Sequence, residues 1–156
     1  YDSRKNKINH LVEFFKAFSP NSMTPEGLCF EAMVKKNQFV ASTNELDSYF
    51  LNISDGYPQC GDYSGEKATR HTAQWINKMK ALYNMKVISF WLESTRRSSD
   101  NEQTPQEAYQ KLVDMFNNSS DGHQFKKMYG KDASVVDSSS ALMIARELNK
   151  KFLSHS

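Results

Sequence analysis

The sequence predicts an α/β domain in which a mainly parallel sheet carries helices on both faces. Two short apolar segments, residues 49–53 and 87–92, flank a long helical pattern at residues 66–83. A strand, a helix and a strand within about 45 residues form a βαβ unit, which requires parallel strands and predicts a right-handed crossover. A β-rich segment at residues 133–136 and a closing helical pattern at residues 139–153 extend the alternation.

Two helices are predicted ahead of the first strand. Apolar residues recur at helical spacing over residues 8–18, until Ser19-Pro20 interrupts them. A second helix begins around Thr24, which suits the N-cap. Pro25 suits the first helical position, and Glu26 suits the positive end of the helix dipole.

The first predicted strand, Tyr49–Ile53, is apolar at nearly every position and stops at Ser54-Asp55-Gly56. Such a run indicates a strand that is buried on both faces, with a loop at its carboxyl end. The helix that follows is expected to end at Asn84. The second strand, Val87–Leu92, is β-rich and again apolar on both faces.

Turn and capping signals divide the second half of the chain. Residues 93–103 are polar and predict an exposed loop. Thr104-Pro105-Gln106-Glu107 is a capping-box sequence that begins a helix, and residues 117–122 stop that helix. A short segment at residues 125–129 leads to the third strand, and Ser138–Ser140 suit the N-cap region of the last helix.

Composition and charge restrict the class of protein. The 156 residues, 38% of them hydrophobic, suit a single domain spanning residues 1–156. Twenty Lys and Arg residues against 18 Asp and Glu residues give a net charge of +2, which offers no case for binding nucleic acid or an anionic membrane. No apolar run reaches the roughly 20 residues of a membrane span. The two cysteines build no disulfide framework, so a cytoplasmic location is predicted.

Two loops at the expected carboxyl edge of the sheet are candidates for a metal site. In an open parallel sheet, ligands bind beyond the carboxyl ends of the strands. The Asp55 carboxylate and nearby Ser or Thr hydroxyl groups are hard oxygen ligands of the kind that suit Mg²⁺. Each feature also has a simpler interpretation, because Asp55-Gly56 is a common turn and Thr24 a common N-cap.

The order of these segments resembles the middle of a von Willebrand factor A (VWA) domain, which has a Rossmann-like fold. The resemblance lies in Phe18–Gly27, followed by a helix and then Tyr49–Pro58. It implies that Thr24 and Asp55 ligate a divalent cation, Mg²⁺ or else Mn²⁺ or Ca²⁺. The implied rim of the site is formed by Ser22, Ser54, Gly56 and Tyr57.

Within that family the chain is most similar to the VWA domain of the cobaltochelatase T subunit and its bacterial and phage relatives. The similarity lies in Ile53–Pro58, in Tyr63 and His71 after it, and in Val135–Asp137 before the last helix. Proteins of this kind work beside a MoxR-like AAA+ ATPase ring, so the resemblance implies such a ring as a partner.

The first metal motif of that family, Asp-x-Ser-x-Ser, has no match at its expected position. Asp2–Asn6 differ from it, and Asp137–Ala141 come close but follow the last strand and end in alanine. The resemblance therefore implies an N-terminally truncated chain that holds the later two-thirds of the domain. An upstream segment or another chain is then expected to cover the open edge of the first strand.

Three functions are compatible with these observations. The first is a metal-dependent protein-interaction domain, in which bound Mg²⁺ accepts an acidic residue from a partner. The second is a non-catalytic subunit of a cobalt or magnesium chelatase-like enzyme complex, and the third is a metal-free structural module.

No catalytic residues are predicted. The His and Cys residues lack the spacing of a zinc site. Cys29 is expected to pack within its apolar helix. A Cys60–His71 pair could form a nucleophile and base, but no acid is recognisable that would orient it.

Overall fold

The computed structural model of the 156-residue chain describes residues 23–93, 104–137 and 141–155. In these ranges five α-helices and three β-strands follow one another. They are α1 (Glu26–Lys35), β1 (Tyr49–Ser54), α2 (Gly65–Tyr83), β2 (Lys86–Glu93), α3 (Pro105–Asn118), α4 (Ser120–Tyr129), β3 (Ala133–Asp137) and α5 (Ala141–His155). The predicted helix at residues 8–18, most of the loop at residues 93–103 and the Ser138–Ser140 cap lie outside the described residues.

The three strands form one parallel sheet in the order β1-β2-β3. Tyr49 pairs with Lys86 at the start of β1, and Glu93 pairs with Asp137 at the end of β3. The predicted βαβ unit and the third strand are therefore confirmed. The described residues form an α/β fold that is compatible with a Rossmann-like architecture.

Helices cover both faces of the sheet, as predicted. Helices α1 to α4 pack on one face through a large apolar cluster that includes Phe30, Ile76, Trp91, Phe116 and Phe125. Helix α5 packs on the other face, where a smaller cluster is formed by Ile88, Phe90, Val136, Ile144 and Leu148. Each large side chain buried in these clusters contributes about 1.5–3 kcal/mol to folding.

Strand β1 departs from the prediction that it is buried on both faces. Phe50 packs edge-on against Phe30 and Phe39, so one face is covered. On the other face Leu51 is 39% exposed and Ile53 is 48% exposed. The reason is that β1 lies at the edge of the described sheet, whereas the small cluster beneath α5 is centred on β2 and β3.

Two of the predicted helix boundaries are confirmed. Asn84 ends α2 in the left-handed conformation with φ of 47°. The Thr104 side chain accepts a hydrogen bond from the Glu107 N–H at 3.3 Å, and the Glu107 carboxylate accepts one from the Thr104 N–H at 2.8 Å. This reciprocal pair is the capping box expected from the sequence.

One other local prediction is wrong: Pro25, and not Thr24, is the N-cap of α1, because Thr24 pairs with a different segment. The predicted stop within residues 117–122 is confirmed, since α3 ends at Asn118. The helix that follows it was not predicted: α4 begins at Ser120, and Ser119 caps it by accepting the Gly122 N–H at 3.1 Å. A Cβ at Gly122 would collide with the backbone of Phe116, so the glycine permits the tight corner between α3 and α4.

No helix in the described ranges is long and apolar enough to cross a membrane.

Candidate functional site

The turn after β1 is held by two hydrogen bonds and by the close approach of Gly56 to Trp91, at the carboxyl edge of the sheet. Buried Ser54 accepts the Gly56 N–H at 3.0 Å through its hydroxyl oxygen. The indole N–H of Trp91 donates to the Asp55 carbonyl at 2.6 Å. Gly56 has φ of 90°, and a Cβ there would lie 2.6 Å from the Trp91 ring. The backbone around Asp55 is therefore fixed, while the Asp55 side chain faces solvent.

The Thr24 segment lies beside this turn. Thr24 and Gln59 form an antiparallel bridge, with Thr24 N–H donating to the Gln59 carbonyl at 2.7 Å and Gln59 N–H donating back at 3.0 Å. The Asp55 carboxylate accepts the Tyr57 N–H at 3.4 Å, a weak bond that leaves most of its oxygen lone pairs available. Two loops that are about 30 residues apart in sequence are thereby joined at one edge of the sheet.

A buried carboxylate, that of Glu26, lies near the exposed Asp55. Glu26, in the first turn of α1, accepts the Tyr129 hydroxyl proton at 3.0 Å. The Asn52 side-chain amide donates to the Tyr129 oxygen at 2.8 Å and to the Ser89 hydroxyl at 3.1 Å. This network, formed by Glu26, Asn52, Ser89 and Tyr129, connects α1, β1, β2 and α4 inside an otherwise apolar core.

Burial controls the titration of this network. Burial raises the pKa of Glu26, and the hydrogen bonds from Ser54, Tyr129 and Asn52 oppose that rise. The nearby Asp55 carboxylate raises the pKa of Glu26 further. Burial, followed by the charge of Glu26, also raises the pKa of the Tyr129 hydroxyl well above its ordinary value. Tyr129 therefore stays protonated and acts as the donor to Glu26.

A second polar cluster joins α1 to α2. The His71 Nδ1 lies 2.9 Å from the Tyr63 hydroxyl, and the Trp75 indole N–H donates to His71 Nε2 at 2.8 Å. Because Nε2 accepts this bond, neutral His71 carries its proton on Nδ1 and donates it to Tyr63. Gly27 sits against the same group, since a Cβ there would collide with the Tyr63 hydroxyl.

Five of the six residues predicted for the site lie on these two neighbouring loops. Thr24 belongs to the segment paired with Gln59, Ser54 is the last residue of β1, and Asp55, Gly56 and Tyr57 lie in the turn after it. Ser22 lies outside the described residues. In the ranges that the structure describes, no three His, Cys, Asp or Glu side chains converge so that they could hold a metal ion.

The buried network was missed by sequence reasoning. Glu26 has an obvious local interpretation at a helix start, which hides its burial. Asn52 was the available signal, because a lone amide in an apolar strand requires a hydrogen-bonding partner in the core. The partner, Tyr129, is 77 residues away, and the sequence around it does not indicate that it bonds to Asn52.

The prediction that Cys29 packs is wrong, and the Cys60 thiol contacts a residue other than His71. Cys29 is exposed on α1 and does not pack within an apolar face. The thiol of Cys60 contacts the Met23 sulfur at 3.6 Å, while the hydrogen bonds of His71 go to Tyr63 and Trp75. The arrangement gives no support to a Cys60–His71 nucleophile and base.

Comparison with protein-family models, with curated proteins and with solved structures gave no match.

Proposed function

We propose that this chain is a protein-interaction domain of the VWA type, which binds Mg²⁺ at the carboxyl edge of its sheet through Asp55 and Thr24. The observation that carries the proposal is the Thr24–Gln59 bridge, which joins the two loops that hold these residues. The site lies where open parallel sheets bind ligands.

The donor set fits Mg²⁺ with few protein ligands. Mg²⁺ prefers oxygen, retains several waters and commonly takes only one or two carboxylates from a protein. The Asp55 carboxylate and the Thr24 hydroxyl supply oxygen, and Glu26 remains engaged with Tyr129 below them. Bound Mg²⁺ would then offer a coordination position to an acidic residue of a partner.

The rim of the site offers a small surface to such a partner. Ser54 and Gly56 hold the turn in place, and Tyr57 is 38% exposed beside Asp55. An exposed carboxylate and an exposed aromatic ring, side by side on a turn whose backbone is fixed, offer a partner both a charged and an apolar contact. The family resemblance makes an AAA+ ATPase ring the first partner to test, in the cytoplasm.

Two alternatives remain in the proposal. A non-catalytic subunit of a chelatase-like complex would use the same surface to dock on its ATPase. A metal-free structural module would keep the fold without any metal ligands, and it is compatible with the finding that no three His, Cys, Asp or Glu side chains converge within residues 23–93, 104–137 and 141–155. In either case an upstream segment or another chain would cover the exposed face and edge of β1.

Terbium luminescence tests the metal site directly. Tb³⁺ replaces hard divalent cations, and Trp91 is placed to sensitise its emission because the indole bonds to the Asp55 backbone. We expect bound Tb³⁺ to emit and Mg²⁺ to displace it. Asp55→Asn should lower the affinity for Tb³⁺ at least about tenfold. Asp114→Asn, an exposed carboxylate on α3, is the matched control and should leave the emission unchanged.

Equal emission from the wild-type protein and Asp55→Asn would contradict metal binding here and leave the metal-free module. Co-purification with an AAA+ ring then separates the partner hypotheses. If the AAA+ ring no longer co-purifies with Asp55→Ala, docking through this turn is supported. If co-purification is unchanged, docking occurs elsewhere.

A further inference from the structure

The ring of His71 faces two groups that require opposite protonation states of the same nitrogen. His71 Nε2 accepts the Trp75 indole N–H at 2.8 Å, and it also lies 3.2 Å from a carboxylate oxygen of Glu31. The first contact needs a lone pair on Nε2, and the second needs a proton there. The two contacts cannot both be hydrogen bonds at one time.

The two partners belong to different helices. Trp75 lies one turn from His71 on α2, so the neutral ring bonds within its own helix. Glu31 lies on α1, so a protonated ring would bond across to the neighbouring helix. Protonation therefore exchanges a contact inside α2 for an ion pair between α2 and α1, because the protonated Nε2 would repel the indole N–H.

The contact of Nδ1 with Tyr63 survives this exchange, since Nδ1 carries a proton in both states. Tyr63 is bridged to Cys60, the residue after Gln59, which itself pairs with Thr24. The start of α1 is held from the same side, because Gly27 rests on the Tyr63 hydroxyl. A tighter α1–α2 contact would therefore act, through Tyr63, on the segment that holds Thr24.

In the part of the chain that the structure describes, the charged and titratable groups around the ring come from α1, from α2 and from the loop before α2. From α1, Glu31 faces the ring and is itself paired with Lys35, which lowers the pKa of Glu31. From the loop, Tyr63 faces Nδ1, and burial raises the pKa of this phenol. From α2, Lys78 lies 4.0 Å above the Trp75 ring. The charges of Glu26, Glu31 and Cys29 raise the pKa of Tyr63 as well.

We propose that His71 is a proton-sensitive positioning residue that switches its Nε2 partner from Trp75 to Glu31 and thereby clamps α1 onto α2. Histidine in general changes its charge between about pH 5 and pH 8, and this sets the pH range over which the exchange of partners is tested. The clamp steadies the Thr24–Gln59 bridge whether or not the carboxyl edge binds a metal.

The indole N–H signals of a ¹⁵N-labelled protein report the switch. The structure gives Trp75 and Trp91 separate hydrogen-bond acceptors, and Trp75→Phe assigns the two signals. We expect the Trp75 indole proton to move upfield as the pH falls from about 8 to about 5, while the Trp91 signal stays fixed. His71→Gln keeps hydrogen-bonding groups but takes up no proton, and should abolish the movement. An unmoved Trp75 signal in the wild-type protein, or equal movement in His71→Gln, overturns the proposal.

Amide exchange at Thr24 and Gln59 reports the clamp. At about pH 5.5 the wild-type protein should protect these two amides about two- to fivefold more than His71→Gln does at the same pH, the range expected of a partly exposed ion pair. Glu31→Gln separates the two steps: the Trp75 signal should still move, but the extra protection should vanish. Equal protection in the wild-type protein and Glu31→Gln contradicts the clamp. Neither readout depends on Tb³⁺, so the metal site and the switch can fail independently.

Discussion

The hydroxyl of Tyr129 donates a hydrogen bond of 3.0 Å to the carboxylate of Glu26, a residue 103 positions earlier in the chain. Glu26 is 7% exposed and Tyr129 is 1% exposed, so the bond is shielded from water. It ties the first turn of α1 to the last turn of α4, close enough to Asp55 that the Asp55 charge raises the pKa of Glu26.

Glu26→Gln should stabilise the protein at high pH. Burial raises the pKa of Glu26, so the folded state binds this proton more tightly than the unfolded state does. The stability contributed by the group is complete below the unfolded pKa and is lost as the pH rises through the folded pKa. We expect the free energy of unfolding of Glu26→Gln to exceed that of the wild-type protein by about 1 kcal/mol at about pH 8. Near pH 4 the two values should be equal.

Urea unfolding at a series of pH values measures this difference. Glu107→Gln provides a control of opposite sign, because hydrogen bonds from the Thr104 backbone and side chain lower the pKa of Glu107. That variant should be less stable than the wild-type protein at neutral pH, and the deficit should disappear as the pH falls. If the stability gained by Glu26→Gln does not change with pH, ionisation of Glu26 does not destabilise the folded state.

Tyr129→Phe should destabilise the fold by about 1–3 kcal/mol, because the buried Glu26 loses a donor and the Asn52 amide loses an acceptor. It should also raise the pKa of Glu26 further, since the Tyr129 hydrogen bond lowers it. Thermal or urea unfolding measures the loss. Tyr83→Phe removes a hydroxyl with two long contacts of 3.4 Å and should change stability by less than about 0.5 kcal/mol. Equal effects of the two variants would contradict the role given to the network.

Gly56→Ala should cost more than Gly61→Ala, although both glycines have positive φ values. A left-handed backbone alone costs a non-glycine residue about 1–2 kcal/mol, which is the loss expected at Gly61, where a Cβ meets open space. At Gly56 the added Cβ also meets the Trp91 ring at 2.6 Å, so about 1–3 kcal/mol more should be lost. Denaturant midpoints of the two variants give the comparison, and a smaller loss at Gly56 would mean that Trp91 moves aside freely.

Lys80→Met should destabilise the protein through Asp132. The Lys80 ammonium pairs with Asp132, which is buried at the end of the turn before β3. Lys80 is about one-third exposed, so solvent screens part of the loss, and we expect about 2 kcal/mol rather than the larger cost of a fully buried pair. Lys127→Met breaks an exposed pair with Glu66 and should have no measurable effect.

Adding Asp132→Asn to Lys80→Met tests the cause. If the loss reflects an uncompensated buried carboxylate, the double variant should recover much of the stability measured by urea unfolding. A double variant that is as unstable as the two single variants combined would show that packing, and not charge, is responsible.

The elements with strong local signals were predicted correctly. The capping box of Thr104 and Glu107 and the stop at Asn84 depend on residues within one helical turn, so the chain carries them wherever it folds. Helix α4 was missed because residues 117–122 match a helix stop, and the sequence does not show that Gly122 fits against the Phe116 backbone. The role of Thr24 was mistaken for similar reasons, since its actual partner, Gln59, lies far along the chain.

The sequence by itself determined the alternation of strands and helices, the parallel sheet and the position of the Ser54-Asp55-Gly56 turn at a strand end. These follow from periodicity and capping, which act over a few residues. Only the tertiary structure decided that Glu26 is buried against Tyr129, that His71 lies between Trp75 and Glu31, and that Leu51 and Ile53 face outward. Those outcomes depend on which distant segments pack together, and the free energy of a buried polar group is set by the partner that packing brings to it.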